Sequence, residues 1–310
     1  MAGVTGIRYV RYLAPDLDLM ERFLTDFGLT RSSRTPSALY MRGTGSEHHI
    51  HVTELGENSG PVGVGLRVDS LEDLKAIATR AGVKTEPSDE PGGGVRAVLT
   101  DPNGMRVDLL YGQDNVDPLP VREPLVMNDS KCAKRLGSFQ RPPRGASHIS
   151  RVEHAVLEGP NYTAAKDFYC DLLGMEMSDS LYTNDPADTV VAFLHCGLGS
   201  AYTDHHTIAL AQAPQAGFHH SAFVTLDWDD LMLGHYHLKS QGYSHDWGIG
   251  RHIMGSEVFD YWRDPFGNRV EHCNDGDMVN DEHEADNVPL EEDVLAIWSP
   301  APSEDLMPSS

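Results

Sequence analysis

The sequence predicts an α+β fold written twice, as two pseudo-symmetric domains. Three repeated features predict it. Near the start of each half a short apolar strand, at 6–13 and 151–157, leads into a helical pattern that ends in a small turn, Gly28-Leu29 and Gly174-Met175. Later in each half, at 66–74 and 223–231, a strand runs through acidic residues into a second helical pattern. Each half then closes on Asp-Pro-x-Gly and an alternating strand, at 101–108 and 264–271. Repetition on this scale marks one supersecondary unit used again.

The elements have local causes. The apolar strands alternate, which sends every second side chain to one face. In Asp-Pro-x-Gly the proline presets φ and the glycine supplies the positive φ of a turn. Residues 1–113 form the first expected domain and 147–275 the second. The segment 114–146 is rich in Pro, Arg and Lys without periodicity, so it reads as a linker with room for short helical pieces. Residues 276–310 read as an acidic arm, extended over the surface or partly disordered.

Composition narrows the class. A chain of 310 residues can bury two cores. Its 40% hydrophobic and 23% charged residues are those of a soluble globular protein. No apolar run approaches the ~20 residues of a membrane span, and the N-terminus shows no basic-then-apolar leader. Cys132, Cys170, Cys196 and Cys273 form no C-x-x-C pair and are expected as reduced thiols, which fits a cytoplasmic protein. A net charge of −23 argues against nucleic acid as partner and repels anionic substrates at long range.

Aligning the repeats places Tyr9 opposite His154, Gly63 opposite His220 and Asp108 opposite Glu271. The first half thus keeps the scaffold and lacks the histidines. Two imidazoles and one carboxylate make a set that binds non-haem Fe(II) and leaves three positions open. His154 sits in an apolar strand, where an inward polar group is costly unless paired. In the pairs His219-His220 and Glu271-His272, alternation sends the members to opposite faces, and periodicity does not choose between them. Tyr261 could be a buried strand aromatic with a satisfied hydroxyl. His48, His49 and His51 read as surface or strand residues, and His235, His237 and His245 as exposed.

The ordered spacing is more specific than any member. His206 opens His206-Thr207-Ile208-Ala209-Leu210, fourteen residues before His220; His252 follows after thirty-two, Tyr261 after nine and Glu271 after ten. This order closely resembles the type I extradiol catechol dioxygenases of the vicinal oxygen chelate superfamily, in the catechol 2,3-dioxygenase and dihydroxybiphenyl dioxygenase group. The resemblance covers most of the chain. It implies paired βαβββ modules, four in all, with curved mixed sheets and outer helices. It implies His154, His220 and Glu271 as ligands of Fe(II), with Mn(II) open to the same set. It implies His206 beside the oxygen position, and His252 and Tyr261 on the substrate hydroxyls.

The implied reaction inserts both atoms of O2 into a catechol-type diol and opens the ring. A homo-oligomer is also implied. Relatives that cleave carboxylate-bearing catechols carry an arginine where this chain has Trp247, which suggests a neutral substituent. The competing expectations are a glyoxalase-like isomerase, epimerase or thiol transferase, and a drug-binding resistance protein.

Overall fold

The computed structural model describes residues 3–291 and 294–303. Its first half contains β1 (Gly6–Ala14), α1 (Leu17–Phe27), β2 (Thr30–Arg34), β3 (Ala38–Arg42), β4 (His51–Leu55), β5 (Gly60–Arg67), α2 (Leu71–Arg80), β6 (Thr85–Pro87), β7 (Val95–Thr100) and β8 (Arg106–Tyr111). The second half contains β9 (Ile149–Gly159), α3 (Tyr162–Asp167) running on as a π-helix, β10 (Met175–Tyr182), β11 (Thr189–Cys196), β12 (Thr203–Asp204), β13 (Ile208–Gln212), β14 (Gly217–Thr225), α4 (Trp228–Gln241), β15 (Ser244–His252), β16 (Val258–Arg263) and β17 (Arg269–Asn274). The tail adds β18 (Met278–Val279), β19 (Asp286–Pro289) and β20 (Ala296–Trp298).

The strand order repeats. The first sheet runs β2-β3-β4-β1-β5-β8-β7-β6; the second contains β10-β11-β13-β9-β14-β17-β16-β15. Each sheet is two βαβββ modules joined through their antiparallel first strands, β1 with β5 and β9 with β14. Register supports the alignment of the halves: Tyr9 faces Gly65 as His154 faces Ala222, and Gly65 pairs with Asp108 as Ala222 pairs with Glu271.

Side-chain oxygens cap the three longer helices. Asp16 accepts from the Asp18 and Leu19 amides at the start of α1, Ser70 from Asp73 in α2, and Asp227 from Asp230 in α4. Gly28 (φ 119°) and Gly242 (φ 82°) end α1 and α4 in the left-handed region that glycine tolerates.

One apolar cluster runs through both halves, so the two sheets share their main core, beside a smaller cluster within each half. Phe27 meets Phe223 edge-on at 5.7 Å, and burial of each ring stabilises the pair by roughly 1.5–3 kcal/mol. Tyr12 and Ser221 share a hydroxyl hydrogen bond of 3.0 Å. His272 points into this seam, stacked on Phe27 at 3.9 Å and donating to the Phe27 carbonyl.

The linker has no helix among its described residues, contrary to the room left for one. Arg122 ties it to α4 with two hydrogen bonds to Asp227 (2.5 and 2.9 Å). The described residues of the arm fit the expectation of an extended segment over the surface, and 292–293 and 304–310 lie outside the described residues. β19 pairs with β10 and β20 with β15, so one tail reaches both margins of the second sheet.

Two histidine groups differ from expectation. His49 and His51 are buried, and burial pushes both rings down to about 3, which keeps them neutral against Tyr9 and Tyr12. His51 lies in β4, an interior strand whose alternation does not reach water, and His49, just before it, packs against Tyr9 and Tyr40. His235 and His237 are half-buried on α4, each against an aspartate; His245 alone of the three is exposed.

A Cβ added at Gly63 would lie 1.9 Å from the Arg106 carbonyl oxygen. Gly63→Ala is expected to destabilise the chain by about 3 kcal/mol, read as a lower urea midpoint.

Candidate metal centre

Three adjacent strands, β9, β14 and β17, bring His154, His220 and Glu271 together. His154 Nε2 and His220 Nε2 lie 3.2 Å apart; Glu271 Oε2 is 3.5 Å from the first and 3.1 Å from the second. Donors ~2.1 Å from one ion are separated by roughly 3.0–3.4 Å, so this triangle is the right size for a shared metal.

The electrostatics point the same way. Glu271 is fully buried, yet neither carboxylate oxygen has a hydrogen-bond partner. Burial opposes its charge, but the His154 and His220 contacts outweigh burial and hold the carboxyl well below its ordinary range. Burial also opposes charge on His154; Glu153 and Glu271 overcome it and raise the ring to about 10. His220 is pushed down to about 4, mainly by burial. An ionised carboxylate without a hydrogen-bond partner, beside imidazole nitrogens, makes this a candidate cation site by charge as well as shape.

Two β-bulges shape the surroundings. At Glu153 two residues of β9 pass while β14 advances by one, and at His219 the extra residue is on β14. Glu153 is thereby buried 3.6 Å from His154 Nδ1 and accepts from the Cys273 thiol at 2.9 Å. His219 also lines the cavity, with its Nδ1 2.7 Å from His220 Nδ1. Strict alternation, which would admit only one of that pair, fails here. Glu271 and His272 do obey it: Glu271 faces the cavity side and His272 the domain seam.

The remaining predicted residues surround the triangle. His206 stacks near His154 with ring centroids 4.0 Å apart. Its Nδ1 lies 3.1 Å from His205 Nδ1 and 3.6 Å from Glu257, while His205 Nε2 meets Asp179 at 2.8 Å. His252 Nε2 is 2.9 Å from the Tyr261 hydroxyl, and its Nδ1 donates to the Leu295 carbonyl at 2.8 Å. Trp247 lies nearly parallel to Tyr261, 5.6 Å away.

His154, His220, His206, His252, Tyr261 and Trp247 line a cavity with about 940 Å³ of empty space, counting the open mouth. Val156, Leu181, Phe193, Ala209, Met254 and Leu295 give it apolar walls. Among its described lining residues there is no lysine or arginine, and Glu158 adds negative charge.

The corresponding place in the first domain is filled by side chains. Arg11, almost fully buried, reaches Tyr9 Oη (3.0 Å), Asp108 (3.3 Å) and Glu90 (2.6 Å) through Nη2. Tyr9 also donates to Asp108 at 2.8 Å. No side chain fits at Gly63, where a counterpart of His220 would stand.

Known proteins share this plan. The Glyoxalase/Bleomycin resistance protein/Dioxygenase superfamily pattern matches residues 151–272. Metapyrocatechase 2 of Cupriavidus necator is 31% identical over 290 residues, 89% of this chain and 83% of that protein. The chain belongs to the extradiol dioxygenase family. Another relative in the family, a biphenyl-2,3-diol 1,2-dioxygenase of Paraburkholderia xenovorans, is 25% identical over 87% of both chains. A Mn(II)-bound glyoxalase from Novosphingobium aromaticivorans superposes with a TM-score of 0.80 at 25% identity, covering 99% of this chain and 95% of that one. Homoprotocatechuate 2,3-dioxygenase of Arthrobacter globiformis has a TM-score of 0.76 at 19% identity, over 96% of this chain and 88% of that one, which shows the shared fold.

Sequence reading missed Glu153, Glu257 and His205 as neighbours of the centre, and left His219 open as the other member of its pair. The bulges that turn Glu153 and His219 inward leave no mark in the alternation pattern. His205 was visible only as the neighbour of His206. Nothing in the sequence around Glu257 announces a buried carboxylate.

His220→Ala is expected to bind one Fe(II) fewer per chain than the parent and to lose diol-dependent O2 uptake. Anaerobic iron loading followed by metal analysis and oxygen-electrode assay checks both.

Proposed function

We propose that this chain opens the ring of catechols bearing neutral, apolar substituents, consuming one O2 per diol. Fe(II) is the proposed ion, held by His154, His220 and Glu271. The observation that carries the reading is the convergence of this donor triangle with His206, His252 and Tyr261 on one apolar cavity. When bound, the ion supplies a Lewis acid and a template that holds diol and O2 side by side.

The chain's own groups set the proton inventory. His252 donates from Nδ1 to Leu295, so its Nε2 accepts from the Tyr261 hydroxyl. Tyr261 Oη is then free to accept from a diol hydroxyl. As that proton arrives, the tyrosine proton passes to His252 Nε2. Tyr261 itself stays a neutral phenol before the diol arrives, because burial, then Glu271, pushes it well above its usual value.

His206 is set in the same way. His205 donates from Nε2 to Asp179, leaving its Nδ1 to accept from His206 Nδ1. His206 Nε2 is therefore the nitrogen that takes or returns a proton. Burial, followed by the surrounding histidines, holds His206 well below its ordinary value, so it starts neutral. Phe193 packs edge-on against it at 5.2 Å and limits its rotation. The apolar walls keep competing water away from the reacting diol.

Substrate preference follows from the walls. Trp247 offers a flat apolar face, and a carboxylate substituent would meet Glu158 with no cation nearby among the described lining residues. A non-oxygenase reading draws on the Mn(II)-bound glyoxalase likeness. The packed Tyr9-Arg11-Asp108 cluster, which leaves no second ligand set, weighs against it.

The test is O2 uptake and absorbance scanning of Fe(II)-loaded protein with catechol, 3-methylcatechol, 4-methylcatechol and 2,3-dihydroxybiphenyl. One O2 per diol with a new visible band supports ring opening; no uptake at full iron occupancy refutes it. Tyr261→Phe is expected to lower kcat/KM roughly 10²-fold, measured at saturating iron. Trp247→Arg is expected to raise the rate on a carboxylate-bearing catechol relative to 4-methylcatechol, read from competing kcat/KM values.

A further inference from the structure

We propose a second divalent-cation site, on the outer face of the second sheet, formed by His235, His245 and Asp260 and suited to Zn²⁺, Co²⁺ or Ni²⁺. It is independent of the ring-cleaving centre. Asp260 and Tyr261 are neighbours on β16, so their side chains leave opposite faces of the strand. Tyr261 lines the cavity, whereas Asp260 meets α4 through His235 and β15 through His245.

The donors already converge. His235 Nδ1 lies 3.0 and 3.1 Å from the two Asp260 oxygens, and His245 Nε2 lies 2.8 Å from Oδ1. One donor atom from each residue falls within 4.8 Å of the other two. Asp260 is fully buried, which would push its carboxyl up; the two histidines outweigh burial and hold it below its ordinary range. Trp262 Nε1 donates to Asp260 Oδ2 at 2.6 Å and fixes the carboxylate plane. That is how a metal-ligating carboxylate is oriented by its neighbours.

His245 is exposed, which gives an ion a way in and leaves room for a water as a further ligand. Two imidazoles and a carboxylate suit borderline cations better than Ca²⁺ or Mg²⁺. On binding, each imidazole carries its proton on the outer nitrogen and its inner lone pair turns to the ion. The carboxylate stays ionised, and the two hydrogen bonds are replaced by two metal–nitrogen bonds. The ion would join α4 to the β15–β16 pair that carries Trp247, His252 and Tyr261.

The experiment is equilibrium dialysis of the full chain against Zn²⁺, with Trp fluorescence under Cu²⁺ as a second readout. The parent should hold two Zn²⁺ per chain. His245→Ala and His235→Ala should each hold one, with diol-dependent O2 uptake after iron loading showing that they fold. His220→Ala should also hold one, now at the outer site. Cu²⁺ should quench Trp262 with saturation in His220→Ala, and this quenching should disappear in the His220→Ala/His245→Ala pair. A parent that holds one Zn²⁺, or a His245→Ala variant that matches it in stoichiometry and quenching, overturns the site.

Discussion

An ionised carboxylate with no donor of its own, sealed between three strands, is the constraint on which the second domain is arranged. Glu271 has no route to solvent and neither oxygen has a hydrogen-bond partner. Such a group is costly to bury unless opposite charge meets it. His154 and His220 face it from neighbouring strands, and the aromatic and aliphatic walls of the cavity keep water from relieving it. Burial opposes charge on Glu153, but His154 and Arg151 outweigh it and keep a further negative group beside the histidines, whereas burial pushes the Glu257 carboxyl well above its ordinary range. The strength of the centre as a cation site and the dryness of the cavity are two aspects of one arrangement.

The first domain meets the same problem with a covalent cation. Asp108 occupies the register position of Glu271, and the Arg11 guanidinium supplies the positive charge. Tyr9 completes the contact where a histidine would otherwise stand. Gly63 and Gly65 then allow neighbouring groups to close in, with the Arg106 carbonyl and the Tyr9 ring taking the room a Cβ would need. An internal ion pair needs no exchangeable partner, so this half can be packed shut. The half that must admit a ligand keeps its cavity.

Much of this was legible in the sequence. The duplicated strand–helix pattern, the Asp-Pro-x-Gly closures and the acidic residues leading into the helices are local signals, and the matching elements formed. The pairing of Tyr9 with His154 and Asp108 with Glu271 could be read because the repeats align one against the other. What escaped was non-local. A β-bulge is an irregularity between two strands, so the inward turn of Glu153 and His219 could not be seen along either strand alone. Burial of His51 depends on β4 having strands on both sides, and that of His49 on the Tyr9 and Tyr40 rings brought against it. The shared core depends on docking of the halves, whereas each half alone reads as a separate unit. The resemblance chose His220 over His219 where periodicity could not, and the bulge is the physical reason why periodicity was insufficient.

The tail's two strands have a consequence for how the molecule coexists with copies of itself. β19 pairs with Asp179–Tyr182 of β10 and β20 with Arg251 and His252 of β15, so the tail covers part of each margin of the second sheet. The new outermost strands are only four and three residues long, and β19 carries Asp286 and Pro289. In the first sheet the outer strands are β2, with two arginines in five residues, and the three-residue β6, which ends in Pro87. Short, charged or proline-bearing margins make poor templates for strand addition by another chain. Among the described residues, two open sheets of eight and ten strands thereby end in margins that an added strand from another chain would find short, charged or interrupted over much of their length.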